Sequence, residues 1–263
     1  MQVAPSSTAP SNSQAEQFTQ HELLGLQRVD LDPTSPIRQF HAWFKAALDP
    51  PAPPPAAAAA ANSNSARNKV AHPETCTLST ASLPSGRVSA RVVYMKELDA
   101  RGFVVYSNFG TSRKAADLAS NPWASLTFWW EAQERQVRVE GRAERLTPAE
   151  SQAYFATRVR GSRLGAWASR QSAVLEPRAG EGDDGEDGDG DDGRAQLEGW
   201  VREVEERFEG VDDVPVPEFW GGLRVVPVRV EFWQGRENRL HDRFVYERED
   251  DKQDEWTLNR LSP

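Results

Sequence analysis

The stretch Trp123–Leu146, WASLTFWWEAQERQVRVEGRAERL, decides the fold class. It holds two strand-like runs, 123–130 and 135–146, separated only by EAQE, and spacing that close suits antiparallel pairing. Working outward, TCTLSTA (75–81) precedes an LPSG turn and RVSARVVYM (87–95), and an ELDARG turn leads into FVVYS (103–107). Downstream come RVVPVRVEFW (224–233), RLHDRFVYE (239–247) and WTLNRL (256–261). So many short strands suit a barrel more than a flat sheet. Ser35-Pro36 is a helix start, followed by Ile37, Phe40, Phe44 and Leu48 at helical spacing. Further helical pieces are expected at 112–119, 148–157, 162–168 and 197–208. The predicted class is α+β with an antiparallel β-barrel core.

Composition narrows the function. The chain has 263 residues, with 31 Lys+Arg against 40 Asp+Glu, a formal net charge of -9, and 38% hydrophobic residues. The run EGDDGEDGDGDD (181–192) alone holds eight acids, so without it the charge is -9 + 8 = -1. A nearly neutral remainder disfavours nucleic acid as a partner. The lone Cys76 excludes an internal disulfide framework and a Cys-based zinc cluster. No window approaches a membrane span, and no Lys or Arg precedes Arg28, which argues against secretory and transit leaders. A cytoplasmic location is expected.

Three segments read as unable to pack: a flexible tail at 1–31, a Pro/Ala-rich insertion at 49–68 and the acidic Gly-rich insertion at 178–194. Residues 32–263 otherwise read as one domain. Asp187, Asp189, Asp191 and Glu198 fall at EF-hand-like positions, but Asp192 stands where the sharp turn needs Gly, so a solvated acidic loop is expected and no metal site.

Three constellations carry chemistry. In NFGTSRK (108–114) a strand end, a glycine loop and a helix start bring backbone N–H groups, Arg113 and Lys114 together, a recipe for phosphate. Arg91 and Lys96 lie upstream at odd spacing, on opposite faces of a regular strand unless a bulge re-aims one. Tyr154, Arg158 and Ser162, at i, i+4 and i+8, line one face if a single helix runs through them. In RLHDR, period-2 geometry puts Arg239, His241 and Arg243 on one strand face, where two guanidiniums flanking an imidazole suit an anionic or electron-rich ligand. Trp233 offers a flat surface to a ring system.

Together RVVYMK (91–96), YSNFGTSRKA (106–115), RQVRVEG (135–141), YFATRVRGSRLGAWASRQS (154–172), FWGG (219–222) and FWQGRENRLHDRFVY (232–246) resemble pyridoxamine/pyridoxine 5'-phosphate oxidase, and Thr111 is similar to its fungal members. The resemblance covers about 32–263 apart from the two insertions. It implies a homodimeric FMN-binding split barrel with flavin at the subunit interface. Carried over by position, Arg91, Lys96, Tyr106, Ser107, Arg113, Lys114, Gln136, Gln171, Ser172, Trp233 and Arg243 are expected FMN contacts, with Gln171 and Ser172 reaching the partner's flavin. Lys96, Tyr154, Arg158 and Ser162 are the expected substrate-phosphate clamp, with Arg239 and His241 over the pyridine ring as the catalytic pair.

The implied reaction oxidises C4' of pyridoxamine 5'-phosphate or pyridoxine 5'-phosphate, hydride passing to flavin N5 and O2 restoring the flavin with release of H2O2. Two other readings are another split-barrel flavoprotein reductase and a non-catalytic FMN- or pyridoxal phosphate-binding protein. The Arg239/His241 pair and the Tyr154/Arg158 clamp separate the oxidase from the reductase, and steady peroxide production from pyridoxine phosphate in air would exclude the binding protein. Three positions depart from the family pattern. Val159 stands where a proline is usual, QFTQHELLGLQRVD (17–30) replaces the usual lid with Phe18 in the tyrosine place, and His72 precedes Pro73 where an acid is usual.

Overall fold

The computed structural model describes residues 25–50, 69–177, 192–250 and 255–263. Phe18, most of both insertions, and Asp187, Asp189 and Asp191 lie outside the described residues. The strands are β1 (Thr75–Ser82), β2 (Arg87–Leu98), β3 (Phe103–Asn108), β4 (Trp123–Trp130), β5 (Arg135–Arg145), β6 (Trp220–Gln234), β7 (Asp242–Glu247) and β8 (Thr257–Leu261). The helices are α1 (Pro36–Leu48), α2 (Arg113–Ser120), α3 (Pro148–Ala156), α4 (Arg160–Ala168) and α5 (Arg194–Arg207).

The strand order is β3-β2-β1-β4-β5-β6-β7-β8, and β3 also pairs with β6. Six strands thereby close into an antiparallel barrel, extended on one side by β7 and β8, as the spacing of the runs predicts. The β2–β3 ladder slips by one residue between Met95 and Glu97, a β-bulge with Lys96 as the extra residue.

By contacts the chain divides into two compact units. The first comprises Met1–Pro73, Thr127–Arg138 and Arg229–Pro263. Its helix α1 starts as expected, the Ser35 side chain accepting from the Arg38 N–H and Pro36 filling the first turn. The buried face is rotated from the expected one. Of Ile37, Phe40, Phe44 and Leu48 only Phe40 is fully buried, and Gln39, Trp43 and Ala47 join it. The larger Trp43 takes the core place, its ring 5.1 Å from Phe232, while Phe40 meets Phe128 at 4.8 Å and Trp130 at 5.7 Å. The polar ends of two core aromatics are satisfied: Trp130 Nε1 donates to Pro73 O and Tyr246 Oη to Asp32 O.

The second unit comprises Glu74–Leu126 and Val139–Val228. Its helices pack through Phe155, Leu164, Ala166, Phe208, Val214 and Trp220. Glycines permit its closest approaches. A Cβ at Gly141 would lie 2.1 Å from Val226 O, and one at Gly222 would lie 2.4 Å from Leu146 Cδ1.

Two sequence expectations fail locally. A single helix does not run from Tyr154 through Ser162: α3 ends at Ala156, Val159 is extended (φ -58, ψ 146), and α4 begins at Arg160. Nor is Arg239–Arg243 a strand. Glu237–Arg239 forms a tight turn with Asn238 at φ 53 and Arg239 at φ 63, and β7 begins only at Asp242, opposite Gln234. Left-handed backbone reverses the chain there, so period-2 alternation cannot hold across it.

Candidate functional site

The phosphate recipe at 108–114 folds as a capped loop. Asn108 Oδ1 accepts from the N–H groups of Gly110 and Thr111, tightening the turn, while its Nδ2 donates to Ser169 O. Ser112 caps α2, accepting from Ala115 N–H. Several expected flavin residues converge within this second unit. Ser107 Oγ donates to Gln171 Oε1 at 3.0 Å, Lys114 Nζ donates to the same oxygen at 2.9 Å, and the Arg113 N–H faces Ser172 Oγ at 3.3 Å. Gln171 and Ser172 thus contact the loop of their own chain.

The electrostatics there call for an anion. Lys114 is buried, and burial together with the Arg91 charge lowers its pKa from 10.5 to about 8. Arg91 is likewise lowered, by burial first, with Arg113 adding repulsion. Arg91, Arg113 and Lys114 gathered at one capped loop fit a phosphate monoester, so the donor set suits the phosphate of FMN.

A second cluster in the same unit is aromatic. Tyr106, Tyr154 and Trp220 stack nearly parallel, Tyr106 and Tyr154 at 3.8 Å and Tyr106 and Trp220 at 5.5 Å. The Arg158 guanidinium lies 4.7 Å from the Trp220 ring, and its buried Nη1 has no hydrogen-bond partner among the described residues. Burial lowers the Arg158 pKa and raises that of Tyr154, each partly offset by the other. Tyr154 and Arg158 are therefore brought together despite the broken helix, and the orphaned N–H is a donor awaiting an acceptor. Ser162 sits half-buried in the first turn of α4. Lys96 is not brought to Arg91: its Nζ lies 4.9 Å from the Tyr94 ring on the outer strand face, whereas Arg91 bonds inward to Leu78 O, Thr80 and Ser89. The bulge instead re-aims Glu97, whose Oε1 accepts from Tyr106 Oη at 2.7 Å.

The remaining expected residues lie in the first unit. Trp233 is directly opposite Arg243 in the ladder, and its ring is 4.5 Å from His241 and 6.0 Å from Trp129. His241 Nδ1 accepts from the Arg236 N–H at 3.1 Å, so its neutral tautomer carries the proton on Nε2. Burial, then the Arg239 and Arg243 charges, lower its pKa from 6.5, which keeps the ring neutral at pH 7. The cationic surroundings read from RLHDR are thus present, reached through a turn rather than a strand. Gln136 is half-buried on β5.

Sequence reasoning passed over the carboxylates behind these cations. Buried Glu231 accepts from Arg243 Nε at 2.8 Å and Arg138 Nη1 at 3.4 Å, and Arg243 also donates to Ser262 O. Asp117, four residues after Arg113, accepts from its Nε at 3.1 Å. The i,i+4 spacing could have revealed Asp117. Glu231 is two residues from the Trp233–Arg243 rung, a diagonal visible only once the register is known.

The family model described as "Pyridoxamine 5'-phosphate oxidase" matches residues 64–186, and "Pyridoxine 5'-phosphate oxidase C-terminal dimerisation region" matches 220–263. Pyridoxamine 5'-phosphate oxidase of Saccharomyces cerevisiae is 44% identical over 97% of this chain and 94% of its own length. A probable pyridoxamine 5'-phosphate oxidase of Schizosaccharomyces pombe is 46% identical over 93% and 92%. Among solved structures, PhzG from Burkholderia lata, in complex with tetrahydrophenazine-1-carboxylic acid, superposes with a TM-score of 0.68 at 27% identity, covering 92% of this chain and 99% of that one. A pyridoxamine 5'-phosphate oxidase-related, FMN-binding protein from Nostoc punctiforme shares the fold, with a TM-score of 0.55 at 19% identity over 81% and 99%. An identity of 44% to the yeast oxidase over nearly the full length of both chains, together with both family models, places this chain in the pyridoxamine 5'-phosphate oxidase family.

Proposed function

We propose that this protein is a homodimeric FMN-dependent oxidase that converts pyridoxamine 5'-phosphate or pyridoxine 5'-phosphate to pyridoxal 5'-phosphate, the amine substrate also taking up water and releasing ammonia, with residues 32–263 acting as one domain. Family membership supports the activity and the dimer. The observation that carries the site assignment is the buried Arg158 Nη1 beside Tyr154, a donor with no hydrogen-bond partner among the described residues and so ready for an anion. Two phosphate monoesters, one on each cluster, account for both.

Arg91, Ser107, Arg113 and Lys114 hold the FMN phosphate, with Tyr106, Gln136, Gln171, Ser172, Trp233 and Arg243 as further flavin contacts at the subunit interface. When bound, FMN supplies the two-electron acceptor for the C4' hydride and delivers those electrons to O2, giving H2O2. Tyr154, Arg158, Ser162 and Lys96 grip the substrate phosphate, remote binding energy that fixes the C4' carbon in position. Arg239 and His241 cover the pyridine ring; His241, neutral at pH 7, can donate from Nε2 to a ring substituent while Arg239 favours electron density on the ring. Buried Cys76, its thiol pushed up to about 12 by burial, is inert and takes no part in the chemistry. Among the described residues no helix is long and apolar enough to cross a membrane.

The test is a visible spectrum of the purified protein before and after anaerobic addition of pyridoxine 5'-phosphate. The expected result is a flavin spectrum that bleaches, then returns in air with peroxide. A flavin that stays oxidised under substrate would overturn the oxidase reading.

A further inference from the structure

The flavin-phosphate end of the second unit contains an acid where simple electrostatics wants none. Asp117 on α2 is 1% exposed. Its Oδ2 accepts from Thr80 Oγ1 at 2.7 Å and Ser89 Oγ at 2.6 Å, and its Oδ1 accepts from Arg113 Nε at 3.1 Å. A hydroxyl has one proton, and these two are committed to the carboxylate. Their lone pairs then face Arg91, whose Nη1 donates to Thr80 Oγ1 at 2.8 Å and Nη2 to Ser89 Oγ at 2.6 Å. Arg91 itself lies 3.9 Å from the carboxylate. One buried acid therefore sets two guanidiniums, Arg113 directly and Arg91 through a pair of oriented hydroxyls.

The division of exposure fits a holding role. The Arg113 side chain is 49% exposed and only its Nε is engaged by Asp117, so its terminal amino groups face outward from a fixed pivot. Burial acts to raise the Asp117 pKa, but the Ser89 and Thr80 hydrogen bonds and the Arg113 charge hold it below the ordinary carboxylate value, and it is ionised at neutral pH.

We infer that Asp117 is a positioning residue for the cofactor, orienting Arg91 and Arg113 toward the FMN phosphate so that its negative charge strengthens anion binding. This rests on the proposed seating of that phosphate at residues 91 and 113. The sign of one measurement separates it from a bystander role. Coulomb's law alone says that neutralising a nearby acid tightens phosphate binding; loss of positioning says that it weakens it.

The experiment titrates the full chain, stripped of flavin, with FMN and separately with riboflavin, which lacks the phosphate, following flavin fluorescence. Asp117→Asn is expected to raise the FMN dissociation constant about tenfold to a hundredfold, the factor carried by a charge-assisted hydrogen bond, and to leave riboflavin affinity unchanged. Unchanged or tighter FMN binding overturns the inference. So does an equal loss for both flavins, which marks a purely structural residue. Should Asp117→Asn not fold, the double variant Thr80→Val/Ser89→Ala removes the relay and leaves the carboxylate; selective loss for FMN supports the inference and no loss overturns it. Wild-type protein that binds neither flavin would instead sink the underlying cofactor reading.

Discussion

Tyr106 and Tyr154 lie face to face, 3.8 Å between ring centroids and 16° from parallel. A residue proposed for the flavin and one proposed for the substrate phosphate therefore share a single contact. Tyr154→Phe keeps the stack and deletes one hydroxyl, so KM for pyridoxine 5'-phosphate should rise about tenfold with flavin content unchanged. Tyr154→Ala should lower flavin retention as well. Steady-state kinetics and flavin-to-protein absorbance ratios read both, and identical behaviour of the two variants would remove the stack from the account.

Arg239 occupies left-handed backbone, φ 63, next to Asn238 at φ 53. That conformation costs a side-chain-bearing residue roughly 1–2 kcal/mol, and glycine is spared it. Arg239→Gly should therefore unfold at higher urea than Arg239→Ala, while both lose turnover and remain yellow. Loss of colour in either would reassign the residue to the flavin.

Lys114 sets a pH dependence. Its folded-state pKa is about 8 against 10.5 when unperturbed, so it is cationic below about 8 and loses its proton above. FMN affinity should fall as pH rises through that value, and Lys114→Met should flatten the profile. Stability moves oppositely. Between about 8 and 10.5 the unfolded chain holds the proton that the flavin-free native state has released, so resistance to urea should increase across the window. Titrations at several pH values check both signs.

Val159 is exposed and extended, with a φ of -58 that proline's ring would fix. Val159→Pro should stabilise the fold by about 0.4–1 kcal/mol through the unfolded chain and leave kcat unchanged. A drop in activity would show that the break between α3 and α4 must flex.

The barrel was legible because turn residues punctuate its strands: each of the eight runs read from the sequence overlaps a strand, although Arg239–His241 of the seventh form a turn, and the β3–β6 pair that closes the barrel emerges only in the fold. The misreadings share a cause. RLHDR alternates like a strand, yet two left-handed residues turn it, and Tyr154 to Ser162 keeps helical spacing across a break at Val159. Periodicity reports side chains and is blind to one or two reversed dihedrals. Asp117 and Glu231 escaped for another reason. Their partners Thr80, Ser89 and Arg138 are brought to them only by tertiary folding.

The slip in β2 shows how a sheet can acquire a group without giving one up. Met95 pairs with Val105 and Glu97 with Val104, so excision of Lys96 would leave an unbroken ladder and every flanking partner in place. Lys96 is a supernumerary residue of the ladder, an ammonium that takes no cross-strand partner's place. The strand pair thus carries one side chain more than its rungs require, so position 96 can change without disturbing a cross-strand partner.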